Sequence, residues 1–109
     1  MMNSRTLFIL QRYSALLLAP LVLVHLATII IAVRNGLTAE EILSRTQHSY
    51  FWSIFYYLFV IAVTVHAPIG VRNILIEWTT LQRRTVDVIS VLLAILLLIT
   101  GLRAVIAVT

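Results

Sequence analysis

Residues 63–78, VTVHAPIGVRNILIEW, decide how this chain is read. His66, Gly70, Asn73 and Glu77 stand at offsets of four, seven and eleven, about 40°, 340° and 20° around a helix that turns roughly 100° per residue. An imidazole, a gap, an amide and a carboxylate therefore share one stripe of an otherwise apolar rod. In lipid such groups are costly and normally face a bundle interior, a cofactor or a pathway, so the stripe marks a functional site.

Composition makes the rod a membrane helix. Of 109 residues, 61% are hydrophobic and only 11% charged, with a mean hydropathy of +1.05. That balance leaves no polar exterior for a soluble domain. There is no cysteine, which excludes disulfides, thiolate metal sites and cysteine-attached haem. Any metal centre rests on histidine and carboxylate.

Three apolar stretches, roughly 7–33, 49–78 and 86–108, each exceed the ~20 residues that cross a hydrocarbon layer of ~30 Å. The first is longer than a signal-peptide core and holds Arg12 and His25, so it reads as a retained span. Helices close their backbone hydrogen bonds internally, and the alternation of a membrane strand is missing. The expected architecture is all-α: one integral membrane domain, residues 1–109, with three transmembrane helices.

Between the first two spans, Arg34-Asn35-Gly36 reads as a helix stop and Thr38-Ala39-Glu40-Glu41 as a capping box opening a short surface helix. Thr85 reads as the N-cap of the last span, with Asp87 near its positive end. Arg5, Arg12, Arg83 and Arg84 gather on one side of the membrane. The positive-inside rule then puts the N-terminus on the cytoplasmic or matrix side. Tyr50, Phe51 and Trp52 mark one interface and Trp78 the other. The net charge of +4 is scattered along membrane boundaries, so lipid headgroups or cofactor carboxylates are expected partners and nucleic acid is not. No phosphate-binding glycine loop, internal repeat or nucleophile–base set is present.

His66 lies about twelve residues from Trp78, ~18 Å into the membrane, and His25 thirteen residues past Arg12, ~20 Å from the same side. Neutral imidazole ligates iron, and a haem held by two histidines keeps no open position, which suits electron transfer. Each histidine can equally bond a backbone carbonyl, with Pro20 and Pro68 freeing acceptors nearby. Gly70 leaves room for a flat macrocycle or for a neighbouring helix. Arg12 and Arg72 can snorkel to water or pair with carboxylates such as haem propionates. Ser14 shares the face of His25 and can donate to a quinone carbonyl or back-bond its own helix. Glu77 can relay a proton or pair with arginine, and Trp78 can anchor at the interface.

These residues resemble a known family, the small membrane-anchor (cytochrome b) subunits of succinate dehydrogenase and fumarate reductase. His66-Ala-Pro-Ile-Gly70-Val-Arg72-Asn73-Ile-Leu-Ile-Glu77 is similar to the family pattern H-x-x-x-G-x-R-H-x-x-x-D, whose first histidine ligates haem b. Gln11-Arg12-Tyr13-Ser14-Ala15 resembles its first-span motif H-R-x-S/T-G, and three spans in this length match as well. The resemblance implies half of a six-helix anchor bundle in a bacterial or mitochondrial inner membrane. It also implies a second membrane-anchor subunit, an iron–sulfur subunit and a flavoprotein subunit as partners. Cofactors would be haem b and ubiquinone or menaquinone, and the chain would be a non-flavin subunit of an oxidoreductase. On that resemblance His66 is an axial ligand, Arg12 and Arg72 hold propionates or shape a quinone pocket, and Gly70 packs on the haem. Ser14, Glu77 and Trp78 would lie near quinone.

The chain departs from the pattern at four places: Asn73 replaces the second histidine, Gln11 the first-span histidine, Glu77 the aspartate, and Phe8 a quinone-contacting serine of one anchor type. Glu77-Trp78 is similar to the Asp-Tyr that ends the helix of the other anchor type. The second iron ligand is expected from the partner anchor; His25 facing His66 within the chain, or the two serving separate haems, are the alternatives. From another functional class, a small proton or cation transporter or a non-redox assembly subunit would use His66, Asn73 and Glu77 as a polar path and would be colourless.

Overall fold

In a computed structural model describing residues 3–109, the chain forms four helices and, among the described residues, no strand. They are α1 (Ser4–Arg34), α2 (Ala39–Thr46), α3 (Tyr50–Trp78) and α4 (Arg83–Val108). At a rise of ~1.5 Å per residue the three long helices run roughly 39 to 46 Å, enough to cross hydrocarbon and reach into both interfaces. All three qualify as membrane spans by length and apolarity. The chain is an all-α, multi-pass membrane protein.

The helix ends follow local chemistry. Asn3 accepts from the Thr6 amide and starts α1. At its other end Gly36 adopts φ +102°, Gly36 N donates to the Val33 carbonyl and Leu37 N to that of Ala32. This is a Schellman stop, which needs the left-handed residue that glycine supplies. Thr38 caps α2 by accepting from the Glu41 amide. Glu41 does not close the box but pairs with Arg45 one turn on. One expectation fails here: α4 starts at Arg83 with Gln82 at the N-cap position, so Thr85 lies inside the helix. Asp87 consequently falls beyond the first turn, and its carboxylate turns to Arg72 on α3.

Helix α3 is the central element, packed along one side by α1 and along another by α4. Its core is thin: Leu7, Leu18 and Leu21 of α1, Phe55, Ala62 and Ile69 of α3, and Val86 and Val105 of α4. Many large apolar side chains remain exposed, among them Leu23, Leu26, Ile54, Leu92 and Leu96. In water such a surface would drive aggregation; in lipid it is the expected outer face. Helix α4 sits tightly against α3 because Gly101 presents no side chain to Val60, whose Cγ1 lies 2.7 Å from where a Cβ would project.

Candidate functional site

Helices α1 and α3 run antiparallel, and their register brings polar residues together at two depths. The first lies toward the end where α1 begins and α3 finishes. Ser14, buried at 7% exposure, has its Oγ 3.3 Å from His66 Nδ1 and donates to the Gln11 carbonyl at 3.0 Å. One turn along, the Gln11 amide nitrogen lies 3.3 Å from the position a Gly70 Cβ would take. Gly70 thus gives room to a side chain of the neighbouring helix. The Gln11 Oε1 atom in this cluster is buried without a partner, as is Thr64 Oγ1 nearby on α3.

The stripe read from sequence splits between two environments. His66 and Gly70 are half-buried against α1, whereas Asn73 and Glu77 are exposed. Continuing the register brings Ser4, where α1 begins, level with the last turn of α3, so little of α1 remains to cover Glu77. Trp78 is 81% exposed, Arg12 and Tyr13 point outward, and Arg12 forms no ion pair among the described residues. Arg72 stands six positions from His66, on a different face of α3. Its Nε donates to Asp87 Oδ1 at 2.8 Å, with both side chains mostly buried. This pair lines a cavity of about 230 Å³ between the three long helices, walled by Leu7, Thr64, Pro68, Ile69 and Ser90.

The family model for the succinate dehydrogenase/fumarate reductase transmembrane subunit matches residues 3–103. The chain belongs to this family. Neither the curated proteins nor the solved structures give a match.

The second polar depth of this succinate dehydrogenase/fumarate reductase transmembrane subunit lies toward the opposite end. His25 Nδ1 is 3.3 Å from the Tyr56 hydroxyl, and its ring meets those of Tyr56 and Phe59 edge-on at centroid distances of 5.6 and 5.3 Å. The pair borders a cavity of about 310 Å³ that also touches Thr46, Gly101 and Val105. Sequence reading missed Tyr56, although Trp52, Phe55, Tyr56 and Phe59 occupy one helical face at offsets of three, four and seven. It also missed Thr46, which is 2% exposed and donates to the Val108 carbonyl at 2.6 Å.

The two histidines do not face one another. Ser14, the neighbour of His66, and His25 are eleven residues apart on α1, about 16 Å along the helix. Two nitrogens on one metal each sit about 2 Å from it, so His25 and His66 cannot share an iron within this subunit. Equal depths followed from treating Arg12 as the membrane boundary, but α1 begins eight residues earlier, at Ser4. Among the described residues there is also no cluster of three or more histidine, aspartate or glutamate side chains. The subunit therefore offers one imidazole at the depth of His66, with its Nδ1 already engaged by Ser14, and that donor set fits one axial position of a haem.

Proposed function

We propose that this chain is a haem b-binding membrane anchor of a succinate:quinone oxidoreductase, holding the flavoprotein and iron–sulfur subunits at the membrane and serving electron passage to or from quinone. Family membership supports the anchor role, and one observation carries the finer reading: the half-buried His66, oriented by Ser14, with no second histidine at its depth. A bound haem supplies one-electron transfer without an open coordination position when both axial sites are histidine. His66 would hold the haem through an imidazole nitrogen, and a second anchor subunit would supply the other ligand. Arg12, exposed and without an ion pair among the described residues, would be the cation for a propionate or a quinone-side contact. Arg72, occupied by Asp87, contributes by lining the three-helix cavity. Glu77 and Trp78, exposed where α3 ends, would meet quinone or the neighbouring subunit. The arginine distribution supports a cytoplasmic or matrix location for that end, and the anchor role supports an inner membrane.

The transporter alternative requires a continuous interior path through His66, Asn73 and Glu77. The exposure of Asn73 and Glu77 on the outer surface gives it no support. Changing His66 to alanine in the intact complex and recording haem content and the b-type absorbance spectrum tests the proposal. Loss of haem or a changed spectrum is expected. Undisturbed content and spectrum would refute ligation by His66, and a colourless wild-type complex that retains its partners would identify a haem-free anchor.

A further inference from the structure

Ser14 has a role that neither the membership nor the span pattern assigns. Its hydroxyl carries one proton and two lone pairs. The Gln11 carbonyl, 3.0 Å away, can only accept. The proton is therefore committed to that carbonyl, the shorter of the two contacts. Turned toward His66, the proton would make the longer contact and leave the hydroxyl and carbonyl oxygens facing each other, lone pair to lone pair, at 3.0 Å, although the carbonyl would keep its helical bond from the Ala15 amide. With its proton spent, Ser14 Oγ can only accept from the ring, and His66 Nδ1, 3.3 Å away, must be the donor. That choice fixes the rest of the imidazole. A neutral ring protonated on Nδ1 presents an unprotonated Nε2.

We propose that Ser14 is a positioning residue that locks His66 in the Nδ1-protonated tautomer and aims its Nε2 lone pair at an iron. Three features of the site agree. Ser14 is buried, so water does not compete for its hydroxyl. The Gln11 carbonyl belongs to the backbone of α1, which holds the chain of hydrogen bonds to a rigid element. Gln11 and Ser14 lie one turn apart on the face that meets α3, so the relay spans the packed helix pair. An imidazole whose far nitrogen donates to a fixed acceptor is a more basic ligand, and a more basic ligand favours the oxidised metal. Ser14 thereby tunes the potential of the group held by His66. It does so through the histidine and not by touching quinone.

The inference rests on His66 being an axial ligand, and its test separates the two. The intact complex is prepared with Ser14→Ala, with Ser14→Thr, which keeps the hydroxyl, and with His66→Ala. Haem content, the midpoint potential of the haem and its low-temperature electron paramagnetic resonance spectrum are then read. Ser14→Ala is expected to move the midpoint potential upward and alter the resonance positions of the oxidised haem, and Ser14→Thr to return both toward wild type. A Ser14→Ala complex with the wild-type potential and spectrum overturns the inference while leaving ligation intact. A Ser14→Thr complex that behaves as Ser14→Ala does also overturns it, because the effect then does not follow the hydroxyl. Haem retained with an unchanged spectrum in His66→Ala removes the underlying reading instead.

Discussion

Replacing Gly101 with alanine should loosen the contact between α3 and α4. A Cβ there would lie 2.7 Å from Val60 Cγ1, 3.0 Å from Cγ2 and 3.4 Å from Cβ, against an optimum of about 3.5–4.0 Å between carbons. Valine in a helix has essentially one rotamer, so the two methyl groups cannot swing away and the backbones must part. Overpacking of this kind costs about 1–3 kcal/mol. Alanine recovers up to about 1 kcal/mol of helix propensity, so from the middle of that range, about 2 kcal/mol, a net loss of about 1 kcal/mol remains, roughly a 5-fold change in the folded-to-unfolded ratio. Unfolding of the full chain in mixed micelles by increasing dodecyl sulfate, followed by circular dichroism, measures it. Gly70→Ala is the control: only the tip of the flexible Gln11 side chain stands in the way, at 3.3 Å, and stability should equal that of the parent or exceed it by up to about 1 kcal/mol of helix propensity. Val60→Ala removes both offending methyl groups, so combined with Gly101→Ala it should cost less than the two single changes added together. Gly101→Ala as stable as the parent, or strict additivity with Val60→Ala, would refute the close-packing argument.

Breaking the Arg72–Asp87 pair on either side, with Arg72→Gln or Asp87→Asn, should destabilise the three-helix module by on the order of 3 kcal/mol, because a mostly buried charge is left alone. Replacing both with leucine should restore most of the loss in the same unfolding assay; a double variant as weak as the singles would contradict this. Thr46→Val removes the donor to the half-buried Val108 carbonyl, at a cost of about 1 kcal/mol. Amide exchange should quicken in the last turn of α4 and not in its middle, and uniform exchange along α4 would exclude a capping role for Thr46.

Much of the site was legible as types and depths along each helix, and less of it as partners. His66 was readable because a lone imidazole in a span is costly enough to require a reason. Ser14 was readable as a buried hydroxyl, but its expected donation to quinone or to its own helix left out the histidine that meets it. Arg72 carried the ordinary signature of a snorkelling cation; its attachment to Asp87 depended on α4 starting at Arg83, since a helix opening at Thr85 would have kept Asp87 in its first turn. Gly70 announced an approach without saying what approaches, and the answer is the side chain of Gln11.

Sequence alone determined that this chain spans a membrane three times, that its long helices begin and end near particular caps, and which residues share a face. These follow from hydropathy summed over twenty residues, from a helical period and from local capping, all of which are properties of neighbours along the chain. Tertiary structure alone decided that Ser14 meets His66, that Tyr56 meets His25, and that the two histidines stand about 16 Å apart along α1. Such pairings depend on the axial register of one helix against another. Packing sets that register, and a shift of one turn would move every side chain by about 5 Å without changing hydropathy at all.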